Sequence, residues 1–259
     1  MAANLSANAL IQERYDQLMA LQPEWVFYTP GDNEWTDCDR PKMKRRFCEL
    51  ERLDFLRNLI LSKPMKLPAS WHYATQPKFP ENARWTQGKA MFTTIHIVGT
   101  NDGREEIFLG DIETTLDLVD ARAQANRVWL KAAFDAARIS NSGAVVIATH
   151  ADVTEPSGSA PCSDSVRIKC DAFAAFRNEL LRLAAGFKKP VLLVHGDTTP
   201  FCLDEKFGGD TAPSLWRLNA LGDSSEVDAT AISVHLDDQK QPFVIKSLMT
   251  GKPVVRPCS

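Results

Sequence analysis

Three short stretches combine carboxylates or imidazoles with the ends of apolar runs. They are Gly31-Asp32-Asn33-Glu34, His150-Ala151-Asp152 and His195-Gly196-Asp197-Thr198-Thr199. Carboxylate oxygens mixed with imidazole nitrogens suit Mn, Fe, Zn or Mg rather than a soft metal. A fourth stretch, Gly99-Thr100-Asn101-Asp102-Gly103, is made of ordinary turn residues and reads as a turn. His96 and His235 fall inside strand-like runs and His72 in a mixed segment; all three read as packed, hydrogen-bonded histidines.

Several other chemistries lack their signatures. The chain contains no GxSxG elbow, GxxxxGK[ST] phosphate loop, GxGxxG or HExxH motif. Neither a serine nucleophile nor a glycine-rich nucleotide site is supported.

The elements that would position these residues follow from periodicity. Ser6 can cap a first helix carrying Ile11, Tyr15, Leu18 and Met19, and Trp25 to Tyr28 reads as a short strand. A second helix is expected after Pro41, with Phe47, Leu50, Leu53, Leu56 and Ile60 facing inward. The run from Lys89 to Gly99 reads as a strand, and Ala121 to Ile139 as a helix with Ala125, Val128, Trp129, Ala132 and Ala136 on its apolar face.

Two continuous apolar runs, Ala144 to Ala148 and Val191 to Val194, flank a helix expected from about Asp171 to Gly186. Such runs alternating with helices imply α/β architecture with strands covered on both faces. The last third, with Leu215 to Leu221, Ala229 to Leu236 and Pro242 to Met249, reads as antiparallel strands closing the sheet system. In open α/β sheets ligands collect beyond the carboxyl ends of strands. The polar stretches named above stand at such ends.

Composition narrows the function classes. The chain has 259 residues, 44% of them apolar, and can bury about three quarters of its unfolded surface as one domain, 1–259, with no linker or repeat dividing it. A net charge of −3 with dispersed Lys and Arg argues against nucleic acid. The cluster Lys42-Lys44-Arg45-Arg46 reads as a solvated helix start. No run approaches the roughly 20 apolar residues that span a bilayer, and the N-terminus lacks the pattern of a signal peptide. A soluble chain is expected, secreted or periplasmic if upstream sequence was removed. The six cysteines form no CxxC pair and read as buried thiols or a few disulfides.

The segment Tyr28 to Cys38, containing PGDNEWTDC, resembles calcineurin-like metallophosphoesterases of a bacterial branch. The resemblance continues through Phe79-Pro80-Glu81-Asn82, Arg84-Trp85, Ile97 to Asn101, Ala125-Asn126-Arg127 with Trp129-Leu130, and Lys189 to Asp197. It implies a two-sheet sandwich flanked by helices and a metal-dependent hydrolase acting on a small phosphorylated substrate, a phosphomonoester or phosphodiester. In that chemistry two metals about 3.5 to 4 Å apart generate a hydroxide and clamp the attacking and leaving oxygens.

By position, the resemblance assigns Asp32, His150 and Asp197 as metal ligands. It places Asn33 at the group that touches the scissile phosphate, or as the metal ligand itself if the register is one residue on, with His195 reaching the phosphate or the metal. Thr199 stands where a second histidine is expected. About 24 residues precede the Trp25 run, and they contain no histidine and no strand-terminal Gly-Asp. The family's N-terminal strand-helix-strand and its bridging aspartate are therefore missing, which leaves a shell for one cation. A sheet edge normally paired would call for a second copy or a partner. The other reading of the same resemblance is an inactive scaffold with a binding or structural role.

Overall fold

The computed structural model describes residues 8–21, 25–63, 65–222, 227–238 and 240–258. Its elements in chain order are α1 (Asn8–Leu21), α2 (Glu49–Leu56), β1 (Ala74–Gln76), β2 (Phe79–Gln87), β3 (Ala90–Thr94), α3 (Ile112–Ile139), β4 (Ala144–Ala148), α4 (Ala174–Phe187), β5 (Val191–His195), β6 (Cys202–Asp204), β7 (Leu215–Asn219), β8 (Thr230–Val234) and β9 (Phe243–Ser247). The architecture is α/β, with a seven-stranded mixed sheet in the order β1-β2-β3-β4-β5-β7-β6 and a separate β8-β9 hairpin. Strands β3, β4, β5 and β7 run parallel, and β1, β2 and β6 pair antiparallel to their neighbours.

The continuous apolar sequence of β4 and β5 follows from burial on both faces. Val145, Ile147, Val191 and Leu193 pack under α3 and α4 beside Leu130, Phe134 and Leu180. Their alternates Ala144, Val146 and Leu192 pack against Phe243 and Ile245 of the hairpin. A third cluster joins Ile11 of α1 and Leu53 and Leu56 of α2 to Trp35 and Val98. No helix among the described residues is long and apolar enough to cross a membrane.

Several sequence expectations shift. Residues 25–28 form no strand; Phe27 instead stacks on Trp85 with ring centroids 3.5 Å apart. Ser6 lies outside the described residues. The basic cluster near Lys42 precedes α2 in turns rather than starting it, and Phe47 is buried under the Arg45 and Arg52 guanidinium groups. Asp171 stands before α4 and accepts from the Phe173 N–H at 3.1 Å. The inward face of α3 is rotated from the expected one. Arg122, Asn126, Trp129, Leu130, Ala133 and Ala137 are buried, and Val128 is exposed. The small alanines masked the true face, since an arginine and an asparagine on it found buried partners.

The final third is not wholly antiparallel: β7 is parallel to β5, and β8 with β9 forms the antiparallel pair. The chain between β5 and β7 crosses through the short edge strand β6 and turns, without a helix. A disulfide, Cys202–Cys258, ties the C-terminal tail to that edge, where Leu203 N–H also donates to Val255 C=O. A second disulfide, Cys162–Cys170, closes a loop before α4, while Cys38 and Cys48 stay reduced.

Candidate metal centre

Three loops meet beyond the carboxyl ends of the parallel strands. The first begins at Pro30 and Gly31 and winds into a compact turn in which Trp35 N–H and Asp37 N–H both donate to Asp32 C=O at 3.0 Å. Trp35 is fully buried beneath it, and Glu34 closes it by accepting from Gly31 N–H at 2.9 Å. Burial raises the Glu34 pKa. The second loop follows β4 and carries His150. The third follows β5 and carries Asp197, a non-glycine residue at φ +65°.

Ligand atoms of Asp32, His150 and Asp197 lie within 4.8 Å of one another, the one such grouping of three metal-capable side chains among the described residues. His150 Nε2 stands 3.2 Å from Asp32 Oδ1 and 3.6 Å from Asp197 Oδ1. Burial pulls the His150 pKa down, but the Asp32 hydrogen bond and the charges of Asp32, Asp197 and Glu34 leave it raised. Burial pushes Asp32 up, but the bond and charge from His150 leave it lowered. The pair is a proton-bridged clasp built from groups that also suit a divalent cation.

Two glycines make the approach possible. A Cβ on Gly31 would lie 2.8 Å from two atoms of the His150 ring, so the imidazole packs directly against the backbone there. A Cβ on Gly99 would lie 2.2 Å from Asp32 Oδ2 and 2.8 Å from Asp197 Oδ2. Both carboxylates therefore rest against Gly99 where any side chain would stand.

The segment Gly99–Gly103 is not an ordinary turn. Thr100, Asn101 and Asp102 all adopt left-handed backbone angles, with φ between 54° and 58°. Each such residue costs roughly 1 to 2 kcal/mol and persists only when its surroundings fix it. Here Thr100 Oγ1 donates to Asp37 Oδ1, Asn101 Nδ2 donates to Cys170 C=O at 2.7 Å, and Asp102 pairs with buried Arg122 at 2.7 Å. Sequence reasoning missed this role because Gly-Thr-Asn-Asp-Gly contains only turn formers. Burial and the nearby Asp32 charge raise Asp37 to about 6.

Asn33 is exposed beside the centre and donates Nδ2 to Asp32 Oδ1 at 3.0 Å. Its second amide hydrogen remains for a ligand oxygen. His195 is placed elsewhere. Its side chain has no exposure, its Nε2 accepts from Arg217 Nε at 3.0 Å, and its Nδ1 donates to Gly196 C=O at 3.2 Å. An arginine can only donate, so this ring is the neutral Nδ1–H form. His195 does not join the grouping of Asp32, His150 and Asp197, and Arg217 of β7 holds its ring. Thr199 is exposed, and His96 is fully buried, with burial driving its pKa well down.

Comparison with family models, with curated protein sequences and with solved structures finds no match to this chain.

Proposed function

We propose that the chain is a metal-dependent phosphoester hydrolase of the calcineurin-like type, acting on a small phosphomonoester or phosphodiester. The carrying observation is the convergence of Asp32, His150 and Asp197 from three distant loops, with both carboxylates packed against the bare Cα of Gly99. Two carboxylates and an imidazole fit Mn, Fe, Zn or Mg. A divalent cation held there would supply Lewis acidity toward a phosphoryl oxygen and toward a water.

The chain's own groups divide the remaining work. Asp32 and Asp197 bring the negative charge that a cation offsets, and His150 contributes Nε2 once its proton is displaced. Asn33 orients a phosphate oxygen with its second amide hydrogen, at the exposed rim. The two disulfides accord with an oxidising compartment.

One observation favours a second reading, a noncatalytic scaffold. Among the described residues no second grouping adjoins the triad to form a two-metal site. Hydrolysis of a nitrophenyl phosphate ester with added Mn separates the two readings. The hydrolase requires turnover above buffer that is lost in Asp32→Ala; the scaffold requires Mn binding without turnover.

A further inference from the structure

Strand β7 holds no residue of the triad, yet it grips both loops that carry His150 and Asp197. Arg217 and Asn219 lie two residues apart on it, and so on one face. The Arg217 guanidinium donates Nε to His195 Nε2 at 3.0 Å and Nη2 to Asp152 Oδ2 at 3.1 Å. His195 closes β5, and Asp152 lies two residues beyond His150. Asn219 Nδ2 donates to Thr198 C=O at 2.9 Å and to Pro200 C=O at 2.8 Å. Thr198 Oγ1 donates in turn to Asp152 Oδ2 at 3.2 Å, and Gly196 N–H donates to His150 C=O at 3.0 Å.

Asp197 is thus enclosed by bonds on both sides, with its left-handed backbone fixed between Gly196 and Thr198. We infer that Arg217 and Asn219 are positioning residues that hold the His150 and Asp197 loops in register, so that the two side chains face one cation. The inference rests on the metal-centre reading for its function, but the loop-holding role can be tested without metal. Lysine cannot replace Arg217, because a single ammonium does not span the His195 and Asp152 acceptors as the planar fork does.

The test uses the full chain and three variants: Arg217→Lys, Asn219→Ala, and Leu180→Ala as a control that loosens the core under α4. Amide hydrogen exchange at Gly196 reads the bond between the loops, and Mn titration reads the centre. Arg217→Lys and Asn219→Ala should speed Gly196 exchange about tenfold relative to the β5 amides. They should also weaken Mn binding about 10- to 100-fold. Leu180→Ala should lower thermal stability and leave both readouts in place. Unchanged Gly196 protection in the two β7 variants, or equal effects from Leu180→Ala, would overturn the inference. Lost Gly196 protection in a protein whose wild type binds no Mn would sustain the clasp and sink the hydrolase proposal instead.

Discussion

His150 Nε2 stands 3.2 Å from Asp32 Oδ1 although 118 residues separate the two in the chain. The contact fixes how the centre responds to pH. The His150 pKa is raised, so its contribution to stability is full below about 6.5 and fades as pH climbs through the folded value. The Asp32 pKa is lowered, so its contribution is present above about 3.9 and fades only as pH falls toward the folded value.

A cation needs the neutral imidazole, so it competes with the proton on His150. Mn affinity is expected to rise between pH 6 and pH 8 with release of a proton, and Asp32→Asn should weaken it by about 100-fold or more. Calorimetric titration in buffers of different ionisation enthalpy measures both; a dissociation constant independent of pH would contradict the assignment.

Gly99→Ala tests the close approach of the two carboxylates to residue 99. Residue 99 does not have a left-handed backbone, so alanine meets no conformational penalty there, only the Asp32 and Asp197 oxygens. Those carboxylates must turn aside, and Mn binding should fall at least about tenfold while the far-ultraviolet circular dichroism spectrum stays unchanged. Full affinity in this variant would mean that ion binding does not depend on the carboxylates resting against residue 99.

Arg122 and Asp102 form an ion pair with almost no exposure, and Arg122 also donates to Asp102 C=O in the left-handed turn. Removing one partner of such a pair leaves an uncompensated buried charge. Arg122→Met is expected to destabilise the fold by about 3 to 5 kcal/mol in urea denaturation, more than a surface arginine such as Arg182 would. The turn supports Gly99, so the variant should also lose Mn affinity at temperatures where it remains folded.

The sheet was readable where burial on two faces leaves no choice of residue. Ala144 to Ala148 is a strand as expected, and the expected run Val191 to Val194 extends by one residue to His195. Local patterns failed where tertiary contacts decide. Ladder pairing was absent at Trp25 to Tyr28, and buried partners for Arg122 and Asn126 turned α3 about its axis. At the centre, the polar stretches holding Asp32, His150 and Asp197 stood out after apolar runs, and the family resemblance singled out these three residues within them. Gly99, Arg217 and Asn219 could not, because a missing side chain and two bonds from a neighbouring strand have no local signature.

Glu49 offers a test of a buried carboxylate that feels the charges of Asp39 and Arg122. It is the first residue of α2, where a carboxylate would ordinarily gain from the helix dipole, yet its side chain is 1% exposed. Neither carboxyl oxygen has a hydrogen-bond partner among the described residues. Burial first, and then the charge of Asp39, push its pKa up to about 9 against the opposing pull of Arg122. Between about pH 4.5 and 9 the folded state holds a proton that the unfolded chain releases, so stability must fall as pH rises across that window. Glu49→Gln keeps a neutral side chain of the same shape at every pH and removes that slope. Thermal unfolding should show matching midpoints at pH 5 and a variant about 5 °C more stable than wild type at pH 8. Parallel curves for the two proteins would mean that Glu49 is ionised in the folded state and that its charge is met by a partner such as Arg122.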